Sequence, residues 1–216
     1  MPHQDNLARW RATWAALNLA PPPGLCEQLL RAWDEPQRHY HTLQHLAECL
    51  ALFDTLRMHA EQPADIELAL WFHDAIYDVQ GHDNEARSAR WAVQALAAGG
   101  VDAARCQRVH DLIMATCHTA LPASPDQALL VDIDLAILGA PAVRFAEYTH
   151  QIRAEYAWVP AEVYAVKRAP CCRVFWIAHR FTRRQPSRSA WDSTPETIWP
   201  RRFRRSEQRS INRQHA

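Results

Sequence analysis

The chain has 216 residues, 48% hydrophobic and 22% charged, with a formal net charge of zero. Those values describe a globular domain able to bury a proper core, and they exclude a disordered polymer, a disulfide scaffold and a global field aimed at nucleic acid. No stretch approaches the ~20 apolar residues that span a bilayer, and the first residues lack the basic-then-apolar order of a signal peptide, so the expected location is the cytoplasm, away from any membrane.

Leu7, Trp10, Trp14 and Leu17 recur at intervals of three and four and predict an amphipathic helix over 5–19, which Pro21-Pro22-Pro23-Gly24 breaks. A second helix, 25–33, sets Leu25, Leu29 and Ala32 on one face and ends at Asp34-Glu35-Pro36. Thr42 is a candidate N-cap for a third, whose stripe of Leu46, Cys49, Leu50, Phe53 and Leu56 runs to about His59. The next helix starts at Pro63-Ala64-Asp65 and is expected to end near Asp78. Ile66, Leu68, Ala69, Leu70, Trp71 and Phe72 make it apolar nearly all round, hence central and buried. Asn84 or Asp83 caps a helix from Glu85 to Ala98, which Gly99-Gly100 stops. Helices follow from Asp102 to His118, Asp126 to Leu138 and Val143 to Trp158, and Pro160-Ala161-Glu162 reads as the first turn of another. Nothing up to residue 166 alternates with period two for long, so the expected class is all-α. The six cysteines, Cys26, Cys49, Cys106, Cys117, Cys171 and Cys172, show no C-x-x-C spacing and read as small buried hydrophobes.

Chemistry gathers around Trp-Phe-His-Asp-Ala-Ile-Tyr, residues 71–77. An apolar run does not bury the imidazole of His73 beside the carboxylate of Asp74 without partners, because an unpaired buried charge costs several kcal/mol. A metal ion would satisfy both. Other candidate ligands are His41 and His45 at i, i+4, His118 at a helix end, and Asp132 and Asp134 near the end of a later helix. Taken singly, each fragment has an ordinary reading: a helix surface, a cap, a hydrogen-bonded core histidine. Their joint order in an all-α chain points to a divalent ion held by mixed imidazole and carboxylate ligands.

His45, His73-Asp74 and Asp134 resemble the H…HD…D pattern of the HD superfamily of metal-dependent phosphohydrolases. The segments Arg38 to His45, Phe72 to Asp78, Asn84 to Ala89, Asp132 to Gly139 and Ile152 to Tyr156 are similar to motifs of an uncharacterised bacterial branch of predicted HD hydrolases. The resemblance covers roughly residues 5–168. It implies an HD-like helical bundle with His45, His73, Asp74 and Asp134 as metal ligands. Asp134 is preferred because Leu135 follows it, with Asp132 as the alternative.

The resemblance implies hydrolysis of a small phosphate ester or nucleotide by metal-activated water, with Mn, Mg, Co, Ni, Fe or Zn as the ion. Asp74 then holds the metal and orients the water, His41 gives the leaving group its proton, Arg38 clamps phosphate, and Glu85 accepts a proton. His118 serves a second metal or the substrate, whereas Arg153 and Glu155 are expected to form a structural network. Two other readings stay open: a catalytically inert metal- or nucleotide-binding module, and a two-iron oxygenase of HD type. A homodimer is compatible with all three readings.

The net charge hides an asymmetry. Residues 168–216 carry twelve arginines against three acids, net +9, while residues 1–167 carry twelve basic groups against twenty-one acids, net −9. The last leucine is Leu138, and nothing after Ala169 matches the branch. The expected division is a helical domain over 1–168 and an Arg-rich tail over 169–216 that is disordered or the product of a frameshift near codons 165–170. Nucleic acid is not an expected partner, since nothing in residues 1–168 supports one.

Overall fold

The computed structural model describes residues 2–166, and these are all-α. The expectation for the Arg-rich tail lies outside the described residues. The elements in order are α1 (Pro2–Ala15), α2 (Leu25–Trp33), α3 (Leu43–Leu56), α4 (Pro63–Phe72), α5 (Asn84–Ala98), α6 (Ala103–Ala115), α7 (Pro125–Asp134) and α8 (Ala142–Glu155). Single 3-10 turns, Arg57–His59 and Leu135–Gly139, follow α3 and α7.

Helix α4 is the centre, as its all-round apolarity predicts: every residue from Asp65 to Phe72 is buried. Helices α1, α3, α5, α6 and α7 all pack on it. Burying this helix also buries two carboxylates. Asp65 is held by Arg105 at 2.9 Å and Arg108 at 2.7 Å. Glu67 is held by Arg9 at 2.8 Å and by Arg57. Paired guanidinium groups make such burial tolerable. The main core is rich in indole: Trp10, Trp14, Trp33 and Trp71 are all buried within it. Helices α5 and α6 pair most extensively, across the turn at Gly99-Gly100. Gly100 has φ 84, a left-handed conformation natural to glycine.

A second, smaller apolar cluster of Tyr40, Ile137, Tyr148 and Ile152 joins α8 to the loop before α3 and to the 3-10 turn after α7. Polar ties add to it, chiefly Arg144, which grips Glu48 through Nε at 2.6 Å and Nη2 at 2.9 Å.

Helix ends depart from the periodicity at informative places. The α4 helix stops at Phe72, not near Asp78, so His73 and Asp74 sit in the turn that follows it. The reason is tertiary: Arg38 donates to the carbonyls of Asp74 (2.6 Å) and Ala75 (3.0 Å), and Ile76 N–H donates to Ser88 Oγ (3.0 Å). Side chains from elsewhere replace the bonds a longer helix would make. The α1 helix ends at Ala15 instead of residue 19, and Asn18 has φ 57. The α6 helix ends at Ala115 instead of His118, and His118 itself has φ 53. Thr42 is the N-cap of α3, accepting from Gln44 N–H. Residues 161–166 are helical, as Pro160-Ala161-Glu162 suggests.

Candidate metal centre

Four donors converge where the two apolar clusters meet. His45 comes from the first turn of α3, His73 and Asp74 from the turn after α4, and Asp134 from the last residue of α7. His45 Nε2 lies 3.2 Å from His73 Nε2 and 3.2 Å from Asp134 Oδ1. His73 Nε2 lies 3.3 Å from Asp74 Oδ2 and 3.6 Å from Asp134 Oδ1. Asp74 Oδ2 is 3.8 Å from His45 Nε2. Around an ion with bonds of about 2.1 Å, tetrahedral or octahedral ligands sit about 3.0–3.4 Å apart, so the 3.2 and 3.3 Å pairs match one shell while the 3.6 and 3.8 Å pairs are slightly wide of it.

The chemistry of the set points the same way. His73 Nδ1–H donates to the Leu70 carbonyl at 2.9 Å, leaving the lone pair of the neutral ring on Nε2, toward the cluster. Two imidazole nitrogens and two carboxylates at such separations could share a cation. Burial opposes charge on His73, but the Asp74 carboxylate and the Asp134 hydrogen bond prevail and lift its pKa to about 9. Burial likewise opposes charge on Asp134, yet bonds from His118, His45 and His73 hold it well below the carboxylate range. The pocket is built for positive charge, which a proton or a metal can supply. Trp33 packs on the rings of His73 and His45, 5.4 and 6.2 Å between centroids, and so limits their rotation.

Cys49 also borders the imidazoles, but its sulfur is 3.7 Å from both Nδ1 and Nε2 of His45. Equal distances place it on the ring's midline and off either lone-pair axis. Burial and the neighbouring Asp134 push its thiol up, and with His45 and His73 it forms a second, fully buried donor group beside the first.

His45 and His73 side chains are at most 2% exposed, whereas Asp74, Asp134, His118 and His41 show 13–19%. The solvent-facing rim therefore carries two carboxylates and two imidazoles. His118 Nε2 meets Asp134 Oδ2 at 3.2 Å, so one carboxylate faces the cluster with one oxygen and His118 with the other. His41 lies just before α3, not on it, and reaches the rim from the loop. Its Nδ1 is 2.8 Å from Glu155 Oε2, and its ring stacks on Tyr77 at 4.0 Å. Burial opposes charge on His41, but Glu155, Asp74 and Asp134 together raise its pKa.

The remaining candidates stand apart. Arg38 does not face a substrate: its side chain is 0% exposed and its donors bind Glu35 and the carbonyls of His41, Asp74 and Ala75. It braces the loop that carries Asp74, a correction to the phosphate clamp. Glu85 sits in the first turn of α5, against the Cys117 thiol, and is not one of the converging donors. Asp132 is half-buried on α7 and also outside the group.

Glu155 is what the sequence reading undervalued. Its Oε1 accepts from the N–H groups of His39, Tyr40 and His41 at 2.9, 2.8 and 3.0 Å, and its Oε2 from Tyr77 at 3.1 Å. Burial works against the carboxylate, but the His41 contact and these amides bring its pKa down to about 2. A signal was present: an acid in the last turn of a helix opposes the macrodipole, so it needs another reason to be there. Arg153, by contrast, binds the carbonyls of Tyr156 and Val159 and is structural, as expected.

No family model, curated protein or solved structure matches this chain. Among the described residues, no helix is long and apolar enough to cross a membrane.

Proposed function

We propose that the protein is a metal-dependent phosphohydrolase of HD type, acting on a small phosphate ester. The observation that carries the reading is the convergence of His45, the His73-Asp74 pair and Asp134, three separate segments of the sequence, with their ligand atoms within 4.8 Å of one another. These residues would hold the ion. When bound, a divalent metal supplies a water of lowered pKa and polarises a phosphoryl oxygen.

The chain's own groups do the rest. His45 and His73 form the floor, with His73 oriented by the Leu70 carbonyl. Asp74, on the exposed rim, orients the attacking water. His41, on the same rim, stands where a leaving group needs a proton. His118 holds the outer oxygen of Asp134 and so fixes which oxygen faces inward.

The test is purified full-length protein with Mn²⁺, Co²⁺, Ni²⁺, Fe²⁺, Zn²⁺ or Mg²⁺ and p-nitrophenyl phosphate. Hydrolysis should need one of these ions and stop on chelation. His73→Ala should reduce it by more than the ~10–100-fold that loss of an outer-shell partner costs. A His73→Ala variant as fast as the parent, or no turnover with any ion, would remove the reading.

A further inference from the structure

Glu155 makes more contacts than tethering requires. One oxygen receives three successive backbone N–H groups, which fixes the loop of residues 39–41 against α8 across a sequence separation of 114 residues. The other receives the Tyr77 hydroxyl and faces His41 Nδ1. The side chain is 0% exposed. His41 is thereby constrained on several sides: Nδ1 is bonded, one face is stacked on Tyr77 with planes 26° apart, and Tyr40 packs edge-on at 4.9 Å. The opposite ring edge carries Nε2, and Asp74 and Asp134 both act on the ring's charge. An imidazole fixed through Nδ1 by a buried carboxylate has one nitrogen left for chemistry, in one orientation.

We propose that Glu155 is a positioning residue that holds His41 as proton donor to the leaving oxygen, fitting the centre to phosphate monoesters of aliphatic alcohols. This rests on the phosphohydrolase reading and deepens it. The leaving group decides the matter. An alkoxide is a poor leaving group that must be protonated as the bond breaks, whereas a nitrophenolate or a phosphate departs without help. A rim that fixes a proton donor so firmly is matched to the first case. In the step, the water oxygen bonds to phosphorus while the bond from phosphorus to the ester oxygen breaks. The Nε2 proton of His41 goes to that ester oxygen, giving a neutral alcohol. A proton from the attacking water goes to the Asp74 carboxylate, and solvent carries one proton from Asp74 back to His41. Water is thus divided between alcohol and phosphate, with no change of oxidation state.

The experiment compares the parent with His41→Ala, Glu155→Gln and Tyr77→Phe, as full chains with Mn²⁺, on glycerol 2-phosphate, p-nitrophenyl phosphate and pyrophosphate. For His41→Ala and Glu155→Gln, kcat on glycerol 2-phosphate should fall by ~10²–10⁴-fold, with the loss on the other two substrates at least ~10-fold smaller and KM little moved. Tyr77→Phe should show the same ordering, more weakly. Equal losses on all three substrates mean that Glu155 is merely structural and overturn the proposal. A parent that hydrolyses none of them sinks the phosphohydrolase reading itself. A readout independent of turnover is the ¹⁵N spectrum of the His41 ring. It should show Nδ1 held in its hydrogen bond to Glu155 in the parent and a shifted Nδ1 resonance in Glu155→Gln. An unchanged His41 spectrum also overturns the proposal. If Glu155→Gln fails to fold, His41→Ala and Tyr77→Phe, which leave the amide-bonded oxygen in place, decide it.

Discussion

Arg38 shows how a single buried side chain can shape a cluster it does not join. Its planar fork spans the carbonyls of Asp74 and Ala75 and so holds the turn that presents Asp74. Arg38→Ala leaves those acceptors buried and unpaired, and should cost about 1–3 kcal/mol, read as a lower urea midpoint at unchanged slope. Arg38→Lys should recover only part of this, since an ammonium cannot bridge two carbonyls in the same plane. The His41–Glu155 pair gives a pH signature. Glu155 has a folded pKa of about 2 against an ordinary 4.5, so its stabilisation is complete above pH 4.5 and is lost as pH falls toward 2. His41 is raised above 6.5, so its contribution is complete below pH 6.5 and is lost as pH rises through the folded value. Stability measured against pH should therefore lose its decline on both sides of the 4.5–6.5 window in a His41→Ala, Glu155→Gln double variant, relative to the parent. Equal profiles would refute the pairing.

At the scale of elements, the stripes on α1, α2 and α3 could be read from spacing, and the centrality of α4 from its lack of a polar face. What spacing could not show is where helices stop, because those ends are set by partners distant in sequence: Arg38 and Ser88 end α4, not the residues of α4 itself. The same blindness hid the partners of Glu155, which lie 78 to 116 positions away, and exposed Arg38 to a wrong role, since burial cannot be read from a lone arginine. The convergence of His45, His73, Asp74 and Asp134 was legible because the order of residue types survives any error in helix boundaries. The junction of α1 and α5 offers a sharp packing test. A Cβ on Gly99 would lie 2.4 Å from the Trp14 ring, and Trp14 is fully buried. Gly99→Ala should therefore destabilise by about 1–3 kcal/mol through overpacking, seen as a lower melting temperature with metal affinity unchanged.

For the whole molecule, the centre ties α3, the turn after α4 and α7 together at the seam between two apolar clusters. A metal that binds only the assembled site stabilises the fold by about 2.7 kcal/mol at one hundred times its Kd. Melting temperature should thus rise with Mn²⁺ in the parent and stay flat in His73→Ala. Because His73 titrates at about 9 without metal, loading at neutral pH should also expel protons, measurable by calorimetry in buffers of different ionisation enthalpy.

The contacts that complete the rim join chain positions 114–116 residues apart. Such distant pairings close late, after local helices have formed, because the entropy of drawing the ends together is lost before any contact rewards it. On a ribosome, the loop carrying His41 would wait for α8 to emerge before its carboxylate socket exists. The four-donor cluster, complete once α7 has docked, can therefore assemble ahead of the wall that holds His41. Newly made chains would pass through a stage in which the cluster is formed and that wall still stands open.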